Sequence, residues 1–466
     1  MSRNRLSIQE SIQEDFQLNN KHDLIHELNN TQQKIVALIN TLSNEELKIP
    51  FHPGVNPPLW EVGHAAFFFE IFILKALDQA ESFKPAMDDI WDSFNIDHED
   101  RWKPGIIPSR KETLDYIEEI HQRILARINN KKLSQDDLYL YKYAIFHQNM
   151  HIESLIWARQ TVAYSKMAFS KIEGAETIQA PIPDDKVISL GDADIPAGRY
   201  VIGMPADSES FATDNFAFDT EKPRFEIDID AFSISKTLVS NQAFLAFVED
   251  GGYDNEQFWS WGGKKWLRTE LNTSTPPDKH MTLPKHPLYW KQEDGSWLER
   301  HFDQWLPLVP DYPVMHISYW EAEAFCNWAG RRLPTEYEWE AAALNNQKGQ
   351  TFKKYPWGDT MDADKVDMNG IHLAHVPVSA YPEGESDFGC RQMQGTAWEW
   401  TSSQYLPYAG FSIDMYPFMS TLQFGYHKTT KGGSCATSSI LIRGTYRQAY
   451  LPDRTDAFVG FRTCAL

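Results

Sequence analysis

The sequence predicts two domains of different class, an N-terminal four-helix bundle and a C-terminal irregular α+β domain. Up to about residue 165, apolar residues recur at the spacing of amphipathic helices. From about residue 187 onward, Gly, Pro, Trp and Asp punctuate short segments, which is typical of loop-rich α+β folds. A chain of 466 residues is too long for one ordinary core, and 42% hydrophobic with 23% charged residues is typical of a folded globular protein.

The predicted N-terminal domain, residues 1–165, contains four helical runs. Ser109 and Glu112 stand three residues apart just before the third run, in the capping-box arrangement that satisfies free amides at a helix start. The connections are short enough for a bundle, apart from a long segment at about 78–110 that we expect to cross over. The four runs cover residues 24–42, 59–74, 114–128 and 138–162.

A polar stretch with two prolines, residues 166–186, indicates an interdomain linker before a C-terminal domain at 187–466. Thr335, followed three residues later by Glu338, is expected to cap a helix. That domain is predicted to contain short extended segments at 198–203 and 225–232, and helices only at 320–330 and 335–343.

Several classes of protein are disfavoured by composition. A formal net charge of -21 repels polyphosphate backbones, so we expect no nucleic-acid partner. The longest apolar run is interrupted by Glu70 and falls short of the roughly 20 residues that a bilayer span requires. The N-terminus has no apolar signal region, so we expect a cytoplasmic protein that does not contact a membrane. The four cysteines lie far apart and are expected to be buried, reduced thiols.

The strongest chemical signal is a histidine pair in the fourth helical run. His147 and His151 are four residues apart, so both imidazoles project from one side of a helix and can reach one metal ion. Their stripe is otherwise apolar and is expected to face the bundle interior, as is His64 on the second run. Together the three predict a metal site with open positions, but core histidines satisfied by hydrogen bonds are the alternative, and imidazoles suit zinc, copper, iron and nickel alike. Glu153 is expected on another face, solvated or supporting a ligand.

Motifs in the C-terminal half resemble the formylglycine-generating-enzyme (sulfatase-modifying-factor) family. Its oxidase members carry two active-site cysteines after the Gly-Gly-Ser segment, where this chain has Thr437 and Ile442, so formylglycine generation is disfavoured although Cys435 lies nearby. The matching motifs, in order, are GRYVIGM (198–204), PVMHISYWEAEAFCNWAGRRLPTEYEWEAAA (313–343), YPWGD (355–359), GTAWEWTSS (395–403), KGGS (431–434) and VGFRT (459–463).

The N-terminal half resembles the DinB-like bundles, whose three-histidine metal sites match His64, His147 and His151. A DinB-like bundle followed by such a C-terminal domain resembles the iron-dependent sulfoxide synthases of ergothioneine and ovothiol biosynthesis and the selenoneine synthases. The resemblance implies an Fe(2+) enzyme that uses dioxygen to join a thiol or selenol to the imidazole of hercynine or histidine. Met150 and the segment HEDRWKPGIIPSR (98–110) depart from the ergothioneine enzymes and look closer to the selenoneine branch, and the donor atom stays open.

The same resemblance implies roles for residues of the C-terminal domain. Tyr416 is the best positional match to the tyrosine that serves as proton donor. Arg447 and Gln448 match the closing stretch that binds substrate. Trp398 and Tyr408 offer aromatic faces, which attract a trimethylammonium group through cation–π interaction.

Two rival functions are consistent with the same two folds. A DinB-type metal-dependent thiol transferase would use zinc or nickel with the C-terminal domain as a binding module, and it would need no oxygen. A catalytically inert interaction protein is the second rival. The intact set of three inward histidines argues against it, because unpartnered buried imidazoles lose hydration without compensation.

Overall fold

In the part of the chain up to residue 166 that the structure describes, all regular secondary structure is helical. The structure is a computed structural model that describes residues 21–166, 189–206, 216–268, 284–346, 352–414 and 420–466. The helices are α1 (Lys21–Asn40), α2 (Pro58–Phe69), α3 (Pro85–Trp91), α4 (Arg110–Asn130) and α5 (Gln135–Thr161). The four longer helices correspond to the four predicted runs, and the predicted crossover segment contains α3 and a 3-10 turn, Glu99–Trp102.

Side-chain caps determine where the helices begin. The predicted capping box at Ser109 and Glu112 is present, with each side chain bonded to the other residue's backbone amide. Ser134 and Asp137 form a second box at the start of α5. Helix α2 begins with Pro58. Proline has no backbone N–H, and at the first position of a helix that N–H has no partner within the helix, so no hydrogen bond is lost. Helix α2 continues into a π-helical turn, Glu70–Lys75.

An apolar interior holds the bundle together. Every residue of α2 is buried, so this helix lies at the centre and not on the surface. Helices α1 and α4 are amphipathic and bury one stripe each. The buried leucines and isoleucines of those two stripes are Leu24, Leu28, Ile35, Leu38, Ile39, Ile117, Ile120, Ile124 and Ile128. No helix within the described residues is both long enough and apolar enough to cross a bilayer.

The described residues of the C-terminal part form short strands and four α-helices. The strands are β1 (Asp192–Ile195), β2 (Gly198–Ile202), β3 (Phe225–Ile229), β4 (Phe232–Ser235), β5 (Trp290–Glu293), β6 (Ser296–His301), β7 (Gln304–Pro307), β8 (Arg331–Arg332), β9 (Trp398–Gln404), β10 (Lys428–Lys431), β11 (Arg447–Tyr450), β12 (Val459–Gly460) and β13 (Cys464–Ala465). One four-stranded sheet has the order β1-β4-β13-β8 and another has β11-β10-β9-β12, while β2-β3 and β5-β6-β7 form smaller sheets. The helices are α6 (Asn241–Glu249), α7 (Trp261–Leu267), α8 (Tyr319–Ala329) and α9 (Glu336–Leu344).

The expectation of only two helices in this part is wrong, because α6 and α7 are also present. Both are short, and neither has enough turns for its periodicity to stand out in sequence. Each begins at a side-chain cap: the Ser240 and Ser260 hydroxyls accept bonds from the amides of Ala243 and Gly263. The predicted cap of α9 is confirmed, with Thr335 and Glu338 forming a capping box.

Buried ion pairs connect the strands and loops of the C-terminal part. Arg462 makes two bonds to Glu399, and Lys431 Nζ lies 2.8 Å from Glu340 Oε2. All four side chains are at most 1% exposed. Charges buried this deeply are tolerated because each is paired and further hydrogen-bonded, and removal of one partner is costly.

Contacts divide the described residues into two compact units. Residues 21–166 and Phe216 form the helical unit, and the remaining described residues form the sheet-rich unit. All of the predicted linker except Lys166 lies outside the described residues, so its position stays a prediction. The four cysteines are buried and none of them forms a disulfide, as expected.

Candidate metal centre

Helix α5 places His147 and His151 on one face, as their four-residue spacing predicts. Their Nε2 atoms lie 3.2 Å apart. His64 of α2 joins them, and one ligand atom from each ring lies within 4.8 Å of the other two. His64 and His147 are 4% and 3% exposed. The structure therefore brings the three predicted ligands together inside the helical unit.

The orientation of His64 is determined by the crossover segment. Its Nδ1 lies 2.6 Å from the carbonyl oxygen of Trp91 at the end of α3. A carbonyl only accepts, so Nδ1 carries the proton and Nε2 keeps its lone pair. The Trp60 ring stacks on the imidazole at 4.7 Å. His64 is thus held in the tautomer that can bind a metal through Nε2.

Burial keeps the imidazoles of His64 and His147 neutral. It is the main cause that lowers the pKa of His64 to about 3, and the neighbouring charge of His151 adds to it. Burial also lowers the pKa of His147 well below its usual value, again with contributions from the other two rings. A neutral imidazole has the lone pair that a metal ligand needs.

A buried carboxylate, which the sequence does not single out, completes the site. Glu61 of α2 is 1% exposed, and its Oε2 accepts a hydrogen bond from His151 Nδ1. Burial alone would raise the pKa of Glu61, but the charge and hydrogen bond of His151, together with bonds from Asn56 and Ser154, lower that pKa to about 2. Because Nδ1 of His151 donates to Glu61, its Nε2 is free to face the other imidazoles. The only signal in sequence was the Glu three residues before His64, and a glutamate in a helix is too common to single out.

The donor set fits a metal ion. Bonds of about 2.0–2.1 Å to two imidazole nitrogens place those nitrogens about 3 Å apart, close to the separation of His147 and His151. Two of the three rings donate their other nitrogen to an oxygen, which is the usual support of metal-bound histidines. Three protein ligands leave positions open for small molecules. The three histidines could therefore hold a catalytic metal.

Glu153 is 4% exposed, which excludes the solvated alternative, and its support of a ligand stays a prediction.

The segment 98–110 contains two arginines, and neither is exposed. Arg101 is buried and donates to Asn56, and Arg110 donates to the carbonyl of Leu42. Both arginines bond within the helical unit.

The predicted residues of the C-terminal domain lie in the sheet-rich unit, except that Tyr416 lies outside the described residues. Trp398 is fully buried on β9 and packs edge-on against Tyr446. Gln448 is partly buried on β11, and its side chain accepts a bond from the next backbone amide. These contacts do not test whether either residue binds substrate, so both roles in substrate binding stay predictions.

Arg447 has strong partners within the protein. Its guanidinium makes two bonds to Glu336 and donates to the carbonyls of Thr220 and Leu406. It also lies 4.1 Å above the ring of Tyr408. These contacts give Arg447 a structural role, and its predicted part in substrate binding is not tested by them.

The two positions that carry cysteine in formylglycine-generating oxidases are buried here. Thr437 is fully buried, and its hydroxyl accepts a bond from the amide of Ser434. Ile442 packs with Tyr355, Val366 and Met368. Neither side chain can supply a thiol.

Fold and site together define a two-domain protein with a candidate metal centre in its helical domain. Residues 191–465 match the sulfatase-modifying factor enzyme 1-like domain, and residues 27–156 match the DinB superfamily. The first match covers more than half of the chain, so the chain belongs to the sulfatase-modifying factor enzyme 1-like family, here combined with a DinB domain. The expected combination of domains is confirmed.

Relatives of the chain include hercynine oxygenases and proteins named after formylglycine generation. The chain is 27% identical over 454 residues to the hercynine oxygenase of Mycolicibacterium smegmatis, covering 95% of this chain and 98% of the relative. It is 29% identical over 423 residues to the hercynine oxygenase of Mycobacterium tuberculosis, covering 90% and 92%. The inactive C-alpha-formylglycine-generating enzyme 2 of Mus musculus is 30% identical over 290 residues, covering 58% of this chain and 84% of the relative. The similarity to the hercynine oxygenases extends over nearly the whole of both chains.

Proposed function

We propose that this chain is an oxygen-dependent oxidoreductase that joins a sulfur or selenium donor to the imidazole ring of hercynine, in ergothioneine- or selenoneine-type biosynthesis. One observation carries the proposal: three imidazoles converge in a chain that is similar to hercynine oxygenases over nearly its full length. The oxidative reaction class follows from that similarity. The choice of donor atom is a finer step and rests on the segment 98–110 and Met150.

Iron is the metal that we propose, held by the Nε2 atoms of His64, His147 and His151. Imidazole nitrogens do not distinguish iron from zinc, copper or nickel, so the choice rests on the domain combination. When bound, Fe(2+) supplies the electrons for dioxygen chemistry that amino-acid side chains lack. The chain's own contribution is to orient three lone pairs toward one point and to keep the rings of His64 and His147 neutral.

The surroundings of the triad favour a dry, ordered site. Phe68 stacks on His147 with ring centroids 3.9 Å apart, and Trp60 covers His64. Aromatic rings that exclude water strengthen the electrostatic interactions of bound groups. Holding both substrates at one centre also replaces a collision of several molecules with a unimolecular step, which can contribute several kcal/mol.

Recognition of hercynine is proposed to use aromatic faces of the sheet-rich unit. A trimethylammonium group requires a face that no other cation covers. Because Arg447 already stacks on Tyr408, only the opposite face of that ring could take a second cation. Tyr416 as proton donor, and Trp398, Arg447 and Gln448 as substrate ligands, remain part of this proposal.

The decisive experiment is oxygen consumption by iron-loaded full-length protein. Hercynine would be supplied with cysteine, γ-glutamylcysteine or a selenosugar in turn, with histidine in place of hercynine as a matched comparison. We expect oxygen uptake and a new carbon–sulfur or carbon–selenium bond that require hercynine, iron and one donor together. Absence of uptake with every donor would contradict the proposal.

A metal-dependent thiol transferase is the second candidate, because the three-imidazole donor set suits zinc or nickel equally well. In this reaction the thiol loses its proton and its sulfur displaces a leaving group from an electrophilic carbon, with no net oxidation, so it proceeds without oxygen. Turnover by zinc- or nickel-loaded protein under anaerobic conditions would support it. Turnover that stops when oxygen is removed would exclude it.

A further inference from the structure

Glu61 connects the two helices that carry the candidate ligands. It lies on α2, three residues before His64, and its Oε2 accepts from His151 Nδ1 on α5. Its other oxygen, Oε1, accepts from the hydroxyl of Ser154, one turn further along α5, at 2.7 Å. The carboxylate therefore bonds α5 at two successive turns and determines how α5 presents His151 to His64.

A polar chain extends from Glu61 to a buried cation. Asn56 Nδ2 donates to Glu61 Oε1 at 2.8 Å, and Asn56 Oδ1 accepts from Arg101 at 2.5 Å. Each partner determines the direction of the next bond, because Arg101 only donates and an ionised carboxylate only accepts. Arg101 also lies 3.6 Å above the ring of Trp60, which stacks on His64. The same residues therefore support two of the three histidines.

We infer that Glu61 is a positioning residue for the metal centre, an inference that rests on the proposed function only in taking a metal to occupy the triad. Its carboxylate holds the proton of His151 on Nδ1, so that the Nε2 lone pair points toward His64 and His147. It also adds a buried negative charge beside a site where a divalent cation would bind. Carboxylates that orient metal-bound histidines in this way commonly contribute 10- to 100-fold to metal affinity.

Glu70 supplies the matched comparison. It lies at the end of the same helix and is also 1% exposed. Its oxygens accept from the Tyr116 hydroxyl at 2.5 Å and from the Phe83 amide at 2.6 Å, and it bonds none of the three histidines. Removing the charge of Glu70 should therefore affect folding and not the metal.

The Glu61→Gln substitution separates the positioning of His151 from the packing of the side chain, because it keeps the size of the side chain and removes one hydrogen-bond acceptor. The single side-chain oxygen of glutamine cannot serve both His151 on one side and Asn56 with Ser154 on the other. If the amide nitrogen faces His151, it favours the tautomer with the proton on Nε2, which cannot bind a metal. If it faces Asn56, two donors meet. Either arrangement disturbs the site without leaving a cavity.

The experiment uses full-length protein and titrates Co(2+) into wild type, Glu61→Gln and Glu70→Gln, following the visible d–d bands, with thermal unfolding of each metal-free protein. We expect both variants to unfold at a lower temperature than wild type. Only Glu61→Gln should bind Co(2+) about 10- to 100-fold more weakly and show altered bands. Equal affinity and identical bands in wild type and Glu61→Gln would overturn the inference, as would an equal loss of affinity in Glu70→Gln.

The outcome is separable from that of the proposed function. Wild type that binds Co(2+) more tightly than Glu61→Gln, but shows no oxygen uptake with hercynine when loaded with iron, would support the positioning role and contradict the proposed reaction. Hercynine-dependent turnover with unchanged metal affinity in Glu61→Gln would support the proposed reaction and contradict the positioning role. A wild type that binds no metal would overturn both.

Discussion

Replacing Gly63 by alanine tests how the crossover segment is held against the metal-site helix. A Cβ atom at position 63 would lie 2.5 Å from two ring carbons of Trp91 and 2.6 Å from a third. The Trp91 side chain is fully buried, so the ring has little room to move away. Movement of Trp91 would also carry its carbonyl oxygen away from His64 Nδ1.

Three effects, of which one is favourable, determine the size of the change. Alanine is favoured over glycine inside a helix by about 0.8–1.0 kcal/mol. Overpacking of a filled core costs typically about 1–3 kcal/mol. A lost hydrogen bond at His64 adds about 0.5–1.5 kcal/mol to that cost. We therefore expect Gly63→Ala to lower the free energy of unfolding by about 0.5 to 3.5 kcal/mol and to weaken metal binding.

Urea denaturation followed by helical circular dichroism gives the change in the free energy of unfolding, and elemental analysis gives metal content. Trp91→Phe provides a second background, because it shortens the ring, and the indole N–H makes no hydrogen bond in the part of the chain that the structure describes. In that background Gly63→Ala should cost at least about 1 kcal/mol less, as coupled neighbours do. An equal cost in both backgrounds, or a gain of about 1 kcal/mol in wild type, would refute the proposed clash.

Three further predictions concern the reaction. Alanine in place of each of the three ligand histidines should lower iron content and abolish turnover while circular dichroism stays helical. His121→Ala, at a half-buried position on α4, should change neither, and full iron and activity in any triad variant would show that the ligand is misassigned. The protein should not convert cysteine to formylglycine in a sulfatase peptide, because Thr437 replaces a required thiol; detection of the product by mass spectrometry would overturn this. Tyr416→Phe should slow carbon–sulfur or carbon–selenium coupling roughly 100- to 10,000-fold at unchanged iron content, the usual effect of losing a positioned proton donor. An unchanged rate and product ratio would remove Tyr416 from the mechanism.

Much of the helical unit could be predicted because its determinants are local. Caps such as Ser109 with Glu112 require only residues three apart, and the structure has that box. The pairing of His147 and His151 follows from the helical repeat alone. The inward position of His64 could be inferred from its apolar neighbours. The motifs of the C-terminal half could likewise be recognised as short stretches of sequence, and the family match confirms the domain that they indicate.

The short helices α6 and α7 show where local reasoning fails. Each contains fewer than three turns, so apolar spacing does not distinguish helix from loop, and tertiary packing decides. In α6, Phe244 and Phe247 are fully buried against other elements. The same limit applies to Arg447, whose partners Glu336 and Thr220 are more than a hundred residues away. Its ion pair could not be distinguished from a ligand-binding role in sequence.

The sequence by itself determined the class of both domains and which three histidines are the candidate ligands, because helical spacing and short motifs depend on neighbours along the chain. Only the tertiary structure decided which nitrogen of His64 and of His151 is available to a metal. That choice depends on the Trp91 carbonyl for His64 and on the Glu61 carboxylate for His151. These oxygens lie 27 and 90 residues away from the rings that they orient. Hydrogen bonds between such distant residues form only when packing brings their helices together.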